Sequence, residues 1–267
     1  MYRGFDIGTD KVPLAERRGI PHHLIDVAEP TDEYTAARYA RDAVAAIEQI
    51  YERGHRPIIV GGTGLYYRAL VRGLFPGPGA DVEMRGRLDG IARRRGAEFL
   101  HRMLKRVDAG SAARIQPRDL KRMVRALEVF FLTGTPLTDH FAATVSPLAG
   151  YQTVAVALSP PMALVADRVT RRVDAQFDRG LLDEIRGLLA RGIPETARPF
   201  GGLVYRQALE HLHGMRNEAD TRELIARANR HYARRQLIWF RKEPNLVWLQ
   251  ASGESREALS AVEALLA

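Results

Sequence analysis

No cysteine occurs among the 267 residues, which excludes disulfides and thiolate metal sites and fits a reducing compartment. No apolar run approaches the roughly 18–20 residues that a membrane span needs. The first residues, Met1-Tyr2-Arg3-Gly4-Phe5-Asp6, carry no apolar signal core. The expectation is a cytoplasmic protein with no membrane partner. Repeats, low-complexity tracts and long linkers are missing too, so the length fits one large or two modest domains. No nucleophile triad and no metal-ligand cluster stands out, and the scattered His residues read as structural. Lysine is scarce: four of the 40 basic residues are Lys (Lys11, Lys105, Lys121, Lys242), a skew that base composition can produce.

What is present is ordinary globular composition, 46% hydrophobic and 27% charged. The formal charge of +8 points to a polyanionic partner, because Lys and Arg gain by releasing counterions from phosphates. On charge alone a solvated basic surface competes evenly with nucleic-acid binding.

Along the chain, residues 19–26 read as a turn entering a short strand. Thr35 caps a helix whose apolar positions Tyr39, Ala43, Ile47, Ile50 and Tyr51 keep helical spacing, and Gly54 stops it. "RPIIVGGTGLYYRAL" (56–70) reads as a strand, Ile58–Val60, a glycine loop and a helix. This strand–helix–strand–helix order predicts a parallel sheet covered by helices. Residues 81–132 contain no good strand and read as short helices dense in Arg, an all-helical insertion. Strand chemistry returns at 152–158, Pro160-Pro161 opens a long helix to about Ala190, and helices follow near 202–213 and 219–241. Val247-Trp248-Leu249 is the last strand. The α/β core therefore comprises 1–75 and 141–267, with the insertion at 76–140.

Four stretches carry candidate chemistry, each against a plainer reading. Gly61-Gly62-Thr63-Gly64 sits where α/β sheets place ligands, although glycines in such turns are often steric. The loop also lacks the Lys of a Walker-type phosphate cradle. Asp119 caps an amphipathic helix with Leu120, Met123, Val124, Leu127 and Phe131 inward and Lys121, Arg122 and Arg125 outside, a phosphate-facing or merely solvated basic face. Asp167–Arg171 and its neighbours on the long helix fit surface i,i+4 stabilisation. Tyr205-Arg206-Gln207 at a helix start can hold anions or bases, or be a surface turn.

Taken together, "YRGFDIGTDK" (2–11), "GIPHHLIDV" (19–27), "PIIVGGTGLYYRAL" (57–70), "ARIQPRDLKRMVRALEVFFLTGTPL" (113–137), "RVTRRVDAQFDRGLLDEI" (168–185), "VYRQALEHLHG" (204–214) and "RRQLIWFRK" (234–242) occur in this order. The set resembles the bacterial tRNA isopentenyltransferase (tRNA dimethylallyltransferase) family over essentially the whole chain. The resemblance implies a P-loop-kinase-like parallel sheet flanked by helices, with an Arg-rich helical insertion that binds tRNA. It implies transfer of a dimethylallyl group from dimethylallyl diphosphate to N6 of adenosine 37, 3′ to the anticodon, in tRNAs reading codons that begin with U.

By the same resemblance Arg172 is the catalytic arginine on the diphosphate, and Gly61 and Gly62 belong to the substrate-site loop. Thr63, Arg85, Lys121, Arg122, Arg125, Tyr205, Arg206, Arg234 and Arg241 are then tRNA-contacting positions. Val204 stands where the family has Gly before Tyr-Arg/Lys. The family's phosphate cradle, a GPTASGKT-type loop, precedes the Tyr-Arg-Gly segment and is followed by an Asp-Ser-x-Gln whose Asp is the base. Neither motif occurs in this sequence. The expectation is that Met1 is internal to a longer reading frame and that the chain as written is inactive. Mg²⁺ is the expected cofactor, its main ligand expected in that absent loop, so no residue here is assigned to a metal. The expected state is a monomer. Two alternatives stand beside this: a prenyltransferase acting on free adenine nucleotides, and a non-catalytic RNA-binding remnant.

Overall fold

The computed structural model describes residues 1–266. In chain order its elements are α1 (Ala36–Glu52), α2 (Gly64–Val71), α3 (Val82–Arg95), α4 (Ala97–Val107), α5 (Ala109–Arg114), α6 (Leu120–Thr133) and α7 (Leu137–Ala142). Then follow β1 (Ala155–Leu158), α8 (Met162–Asp178), α9 (Leu181–Ala190), α10 (Leu203–Leu212), α11 (Glu218–Phe240), β2 (Leu246–Leu249) and α12 (Arg256–Leu266). Two units emerge, Met1–Tyr67 with Tyr151 onward, and Arg68–Gly150. The second is wider than the 76–140 stretch marked by composition. Ser146 Oγ donates to the Val71 carbonyl at 2.6 Å, and a Cβ on Gly73 would lie 2.2 Å from the Val145 oxygen. These contacts tie 71–73 to 144–146. No described helix is long and apolar enough to cross a membrane.

In the first unit β1 and β2 pair in parallel, Ala155 opposite Leu246 through Leu158 opposite Leu249. The core lies among α8, α9, α10 and α11, where Val173, Phe177, Leu181, Ile185, Leu188, Ala208 and Ile225 are buried. Phe5 joins them from the N-terminal segment, edge-on to Phe200 at 5.0 Å and to Tyr205 at 4.8 Å. Helix α1 begins as its sequence predicts. The Thr35 side chain accepts from the Arg38 amide, and Ala40, Ala43 and Ile47 are buried.

Three expectations fail locally. Residues 19–26 form no strand, because Leu24 (φ 59°) and Asp26 (φ 55°) are left-handed and break extended geometry. The nearest pairing is a single parallel bridge, Tyr2 with Ala28. Ile58–Val60 is not a strand either. Its backbone finds no ladder partner among the described residues, and Ile58 and Val60 are 79% and 90% exposed. The long helix expected from Pro161 to Ala190 is two helices, broken at Gly180 (φ 90°), a conformation that disfavours any side chain.

The second unit is all-helical, as its sequence predicts. Leu88 from α3, Leu100 and Leu104 from α4, and Met123, Leu127 and Val129 from α6 form its core. Asp81, Asp108 and Asp119 cap α3, α5 and α6, each accepting from the amide three residues on. Leu120 and Phe131, expected to face inward on α6, are exposed. The buried stripe turns instead through Met123, Ala126 and Leu127 and includes Glu128.

Candidate functional site

The N-terminal segment 5–11 is a compact turn fastened at three points. The Glu184 carboxylate on α9 accepts the amides of Asp6 (2.9 Å), Ile7 (2.7 Å) and Gly8 (3.5 Å), and the Tyr205 hydroxyl at 2.6 Å. The Gly8 amide also donates to Tyr205 Oη at 3.1 Å, and a Cβ on Gly8 would lie 2.6 Å from the tyrosine ring. Only glycine lets the chain pass there. Lys11 bonds both Asp6 and Asp26. Burial pushes its ammonium down, but the bonds from Asp26 and Asp6 outweigh burial, and the net shift is upward.

At the third point Asp10 meets the face of α8. Its Oδ2 forms an ion pair with Arg172, 2.6 Å from Nε, and accepts from Gln176 Nε2 at 2.7 Å, while its Oδ1 accepts from Arg179 Nη2 at 2.6 Å. Residues 172, 176 and 179 share one helix face by their spacing. Arg172 is 61% exposed and bonds no described residue through its two terminal nitrogens. A guanidinium ion-paired on its Nε side keeps a two-pronged donor edge for an anionic oxygen pair. No acid lies three or four positions from Arg172, so its partner comes from a distant part of the chain.

The Gly61–Gly64 loop is seated on the C-terminal end of α11. Gln236 Nε2 donates to the Gly62 carbonyl at 2.8 Å. A Cβ on Gly64 would lie 2.4 Å from the Trp239 ring. Gly64 is therefore there for close approach, whereas Gly61 faces open space and Thr63 is exposed. This packing brings Gly61, Gly62 and Thr63 to the stretch of α11 that carries Arg234, with Arg241 capping its end; both arginines are exposed.

Tyr205 corrects an expectation. It is 2% exposed, so it does not reach a macromolecular partner. Burial first, then the bond to Glu184, pushes its phenol far above the ordinary range, so it stays a neutral hydrogen-bond donor. Arg206, one position on, is exposed.

In the helical unit Glu128 is 0% exposed and gathers the arginines around it. Arg85 donates to both of its oxygens (2.8 and 3.0 Å), Arg125 to one (2.7 Å), and the Asp81 amide to the other (2.8 Å). Arg125 also donates to the Pro78 carbonyl at 2.9 Å. Burial pushes the Glu128 carboxyl up, but the bonds from Arg85, Arg125 and Asp81 prevail and hold it below its ordinary value. Arg85 and Arg125 thus spend their guanidinium groups on the fold. Lys121 and Arg122 are the exposed cations of the α6 face, Arg122 sharing Asp119 at 2.8 Å.

Among the described residues no group of three or more His, Cys, Asp or Glu could hold a metal ion. Asp6 and Asp26 are taken by Lys11, and Asp10 by two arginines. The magnesium implied by the sequence resemblance finds no cradle in these side chains, and no step below runs through it. What the arrangement offers is an arginine fork on α8, a glycine loop against basic α11, and a basic face on α6. Sequence reading missed Asp10 and Glu184, whose partners are remote in sequence, and Glu128, which pairs with Arg125 three residues away but gathers Arg85 and the Asp81 amide from more than 40 residues away.

The IPP transferase family matches residues 1–243. A tRNA dimethylallyltransferase of Solibacter usitatus is 46% identical over 257 residues, 96% of this chain and 83% of its own length. That of Geobacter metallireducens is 42% identical over 98% of this chain and 85% of its own length. A crystal structure of the full-length tRNA isopentenylpyrophosphate transferase of Bacillus halodurans aligns with TM-score 0.69 at 33% identity, over 99% of this chain and 83% of that one. A eukaryotic dimethylallyltransferase caught acting on tRNA aligns with TM-score 0.76 at 26% identity, over 100% of this chain and 69% of that one. The fold is accordingly the P-loop-kinase-like α/β architecture with a helical insertion. Matched from its first residue through Glu243, the chain belongs to the IPP transferase family.

Proposed function

We propose that the chain serves transfer of a dimethylallyl group from dimethylallyl diphosphate to N6 of adenosine 37 in cytoplasmic tRNAs reading codons that begin with U. The observation that carries this is Arg172, tethered at Nε by Asp10 with its outer fork open, in a chain so similar to tRNA dimethylallyltransferases. In the reaction the N6–C1 bond forms as the C1–O bond breaks, diphosphate departs, and the N6 proton passes to a base. Arg172 meets the charge that builds on the departing diphosphate. The exocyclic amine is a poor nucleophile, its lone pair delocalised into the ring, so positioning contributes much of the rate. Thr63, Gly61 and Gly62, with Arg234 and Arg241 from the same end of α11, are the proposed surroundings of the acceptor base. Lys121 and Arg122 are the proposed phosphate contacts of the anticodon stem-loop, and Arg206 a further one. A nucleotide-sized acceptor would not need the basic α6 face.

We further propose that these 267 residues alone do not complete the reaction, because no Gly-x-x-x-x-Gly-Lys-Ser/Thr and no Asp-Ser-x-Gln occurs in them. The test compares the chain with a version preceded by a strand–loop–helix unit carrying both motifs. Each is incubated with an unmodified anticodon stem-loop, dimethylallyl diphosphate and Mg²⁺, and the RNA is digested for mass spectrometry. The extended version should yield dimethylallyladenosine and the chain alone none. Failure of the extended version refutes the transfer reading; product from the chain alone refutes the second proposal.

A further inference from the structure

We propose that Asp10 is a positioning residue that aims Arg172 at the diphosphate. The proposal rests on the reading of Arg172 given above. Asp10 lies in the left-handed region (φ 49°), an uncommon conformation for a residue with a side chain. The turn holds it there through Asp10 N to Ile7 O at 3.1 Å and Lys11 N to Asp6 O at 2.9 Å. Glu184 clamps the preceding amides from α9. The carboxylate is thereby delivered to α8 by a rigid loop rather than by a freely turning side chain.

Its two oxygens are divided between two arginines, Oδ2 to Arg172 and Oδ1 to Arg179. Gln176, 2% exposed between them, has its Oε1 without a partner and its Nε2 committed to Asp10 and to the Gly8 carbonyl. A buried amide left half-satisfied is a cost the fold bears, while its other end holds the Asp10 carboxylate at 2.7 Å. With its Nε side against the Asp10 carboxylate, the Arg172 guanidinium is 61% exposed and its two terminal nitrogens meet no described residue. A free arginine would lose rotamer entropy on meeting its ligand; a tethered one has lost it already.

Asp10 also places a negative charge near the anion site, which opposes binding. Two neutral replacements separate these effects. Asp10→Asn keeps an oxygen acceptor for Arg172 Nε, whereas Asp10→Ala keeps none, and both remove the same charge. Ordering one long side chain corresponds to roughly two- to tenfold in affinity.

The experiment measures inorganic pyrophosphate binding by calorimetry to the full chain and to Asp10→Asn, Asp10→Ala and Arg172→Ala, with thermal melting of each preparation. Side-chain ¹H–¹⁵N spectra then follow the Arg172 Nε–H, assigned by its loss in Arg172→Ala. The expected result is an Ala variant that binds about two- to tenfold more weakly than the Asn variant. The Arg172 Nε–H should be protected from exchange in the parent chain and in Asp10→Asn and lost from view in Asp10→Ala. Equal pyrophosphate affinities for Asn and Ala, with Arg172→Ala weaker than the parent, overturn the positioning role and leave the reading of Arg172 intact. An Arg172→Ala chain that binds as the parent does, or a parent that does not bind, overturns that reading and the positioning role with it. A melt lowered in Asp10→Ala with unchanged affinity and an unchanged Nε–H signal makes Asp10 a loop fastener only and also overturns the proposal.

Discussion

Replacing Glu128 by alanine removes one acceptor that four donor contacts share. The Asp81 amide loses its partner at the start of α3; a buried amide left unbonded costs about 1–3 kcal/mol, and this part-buried one falls toward the lower end. Arg85 and Arg125 are 41% and 32% exposed, so they can turn to water, and each lost pair is worth no more than about 1 kcal/mol. Removing a buried carboxylate relieves some desolvation, which offsets part of the loss. The net expectation for Glu128→Ala is about 2–3 kcal/mol, and for Glu128→Gln, which retains an acceptor for Asp81, about 1–2 kcal/mol. The two tryptophans, Trp239 and Trp248, lie outside the Arg68–Gly150 unit. Urea unfolding followed by far-ultraviolet circular dichroism senses the helices of both units, while tryptophan fluorescence reports on the first unit alone. The part of the dichroism transition without a counterpart in fluorescence should move by the stated amount, and the fluorescence transition by less. The pH dependence fixes the cause. The folded carboxyl is held below its unfolded value of 4.5, so its contribution is fully present above that value and lost as pH falls through the folded one. Parent and Glu128→Gln should differ by a constant amount from pH 7 to about 5 and converge below about 4.5. A parent–Gln gap that persists undiminished at pH 3, or no gap at pH 7, would refute the role given to Glu128.

Tyr205→Phe should lower stability by about 1–2 kcal/mol in thermal unfolding, through the lost Glu184 and Gly8 bonds, and leave anticodon stem-loop affinity unchanged. Weaker RNA binding at unaltered stability would contradict its burial. Arg122→Ala should weaken stem-loop binding across sequences and reduce the salt slope by about one unit. An identical slope in filter-binding titrations would return α6 to a solvated face. Gly64→Ala should unseat the loop from Trp239, seen as a shifted tryptophan emission; an emission spectrum matching the parent would show that the approach is not close.

Local signals in the sequence were sufficient where the physics is local. Thr35 capping α1, the alternation before Pro160 and the strand-free, Arg-rich insertion are each decided within a few residues, and the structure has them. The break at Gly180 escaped notice because Val173, Phe177, Leu181, Ile185 and Leu188 keep an apolar rhythm straight across it. The site shows the same division. Arg172 stands out from α8 because no neighbouring acid explains it, yet the carboxylate that does explain it reaches Gln176 across 166 residues. Asp6 and Glu184 are 178 residues apart, and no spacing rule links them. Arg85 and Arg125, expected as tRNA contacts, bond instead to Glu128, an acid on the apolar stripe of α6 that the helical pattern does not mark.

The open backbone at Ile58, Ile59 and Val60 has a consequence for how the chain behaves in a tube. Three exposed branched apolar side chains on a segment without ladder partners among the described residues are an adhesive edge for a strand of similar character, including the same segment of another copy. Net positive charge keeps copies apart at low ionic strength, and added salt screens that repulsion while leaving the apolar attraction intact. Contact between copies through this segment should therefore rise with salt concentration, so buffers chosen to weaken RNA contacts will be those that favour it.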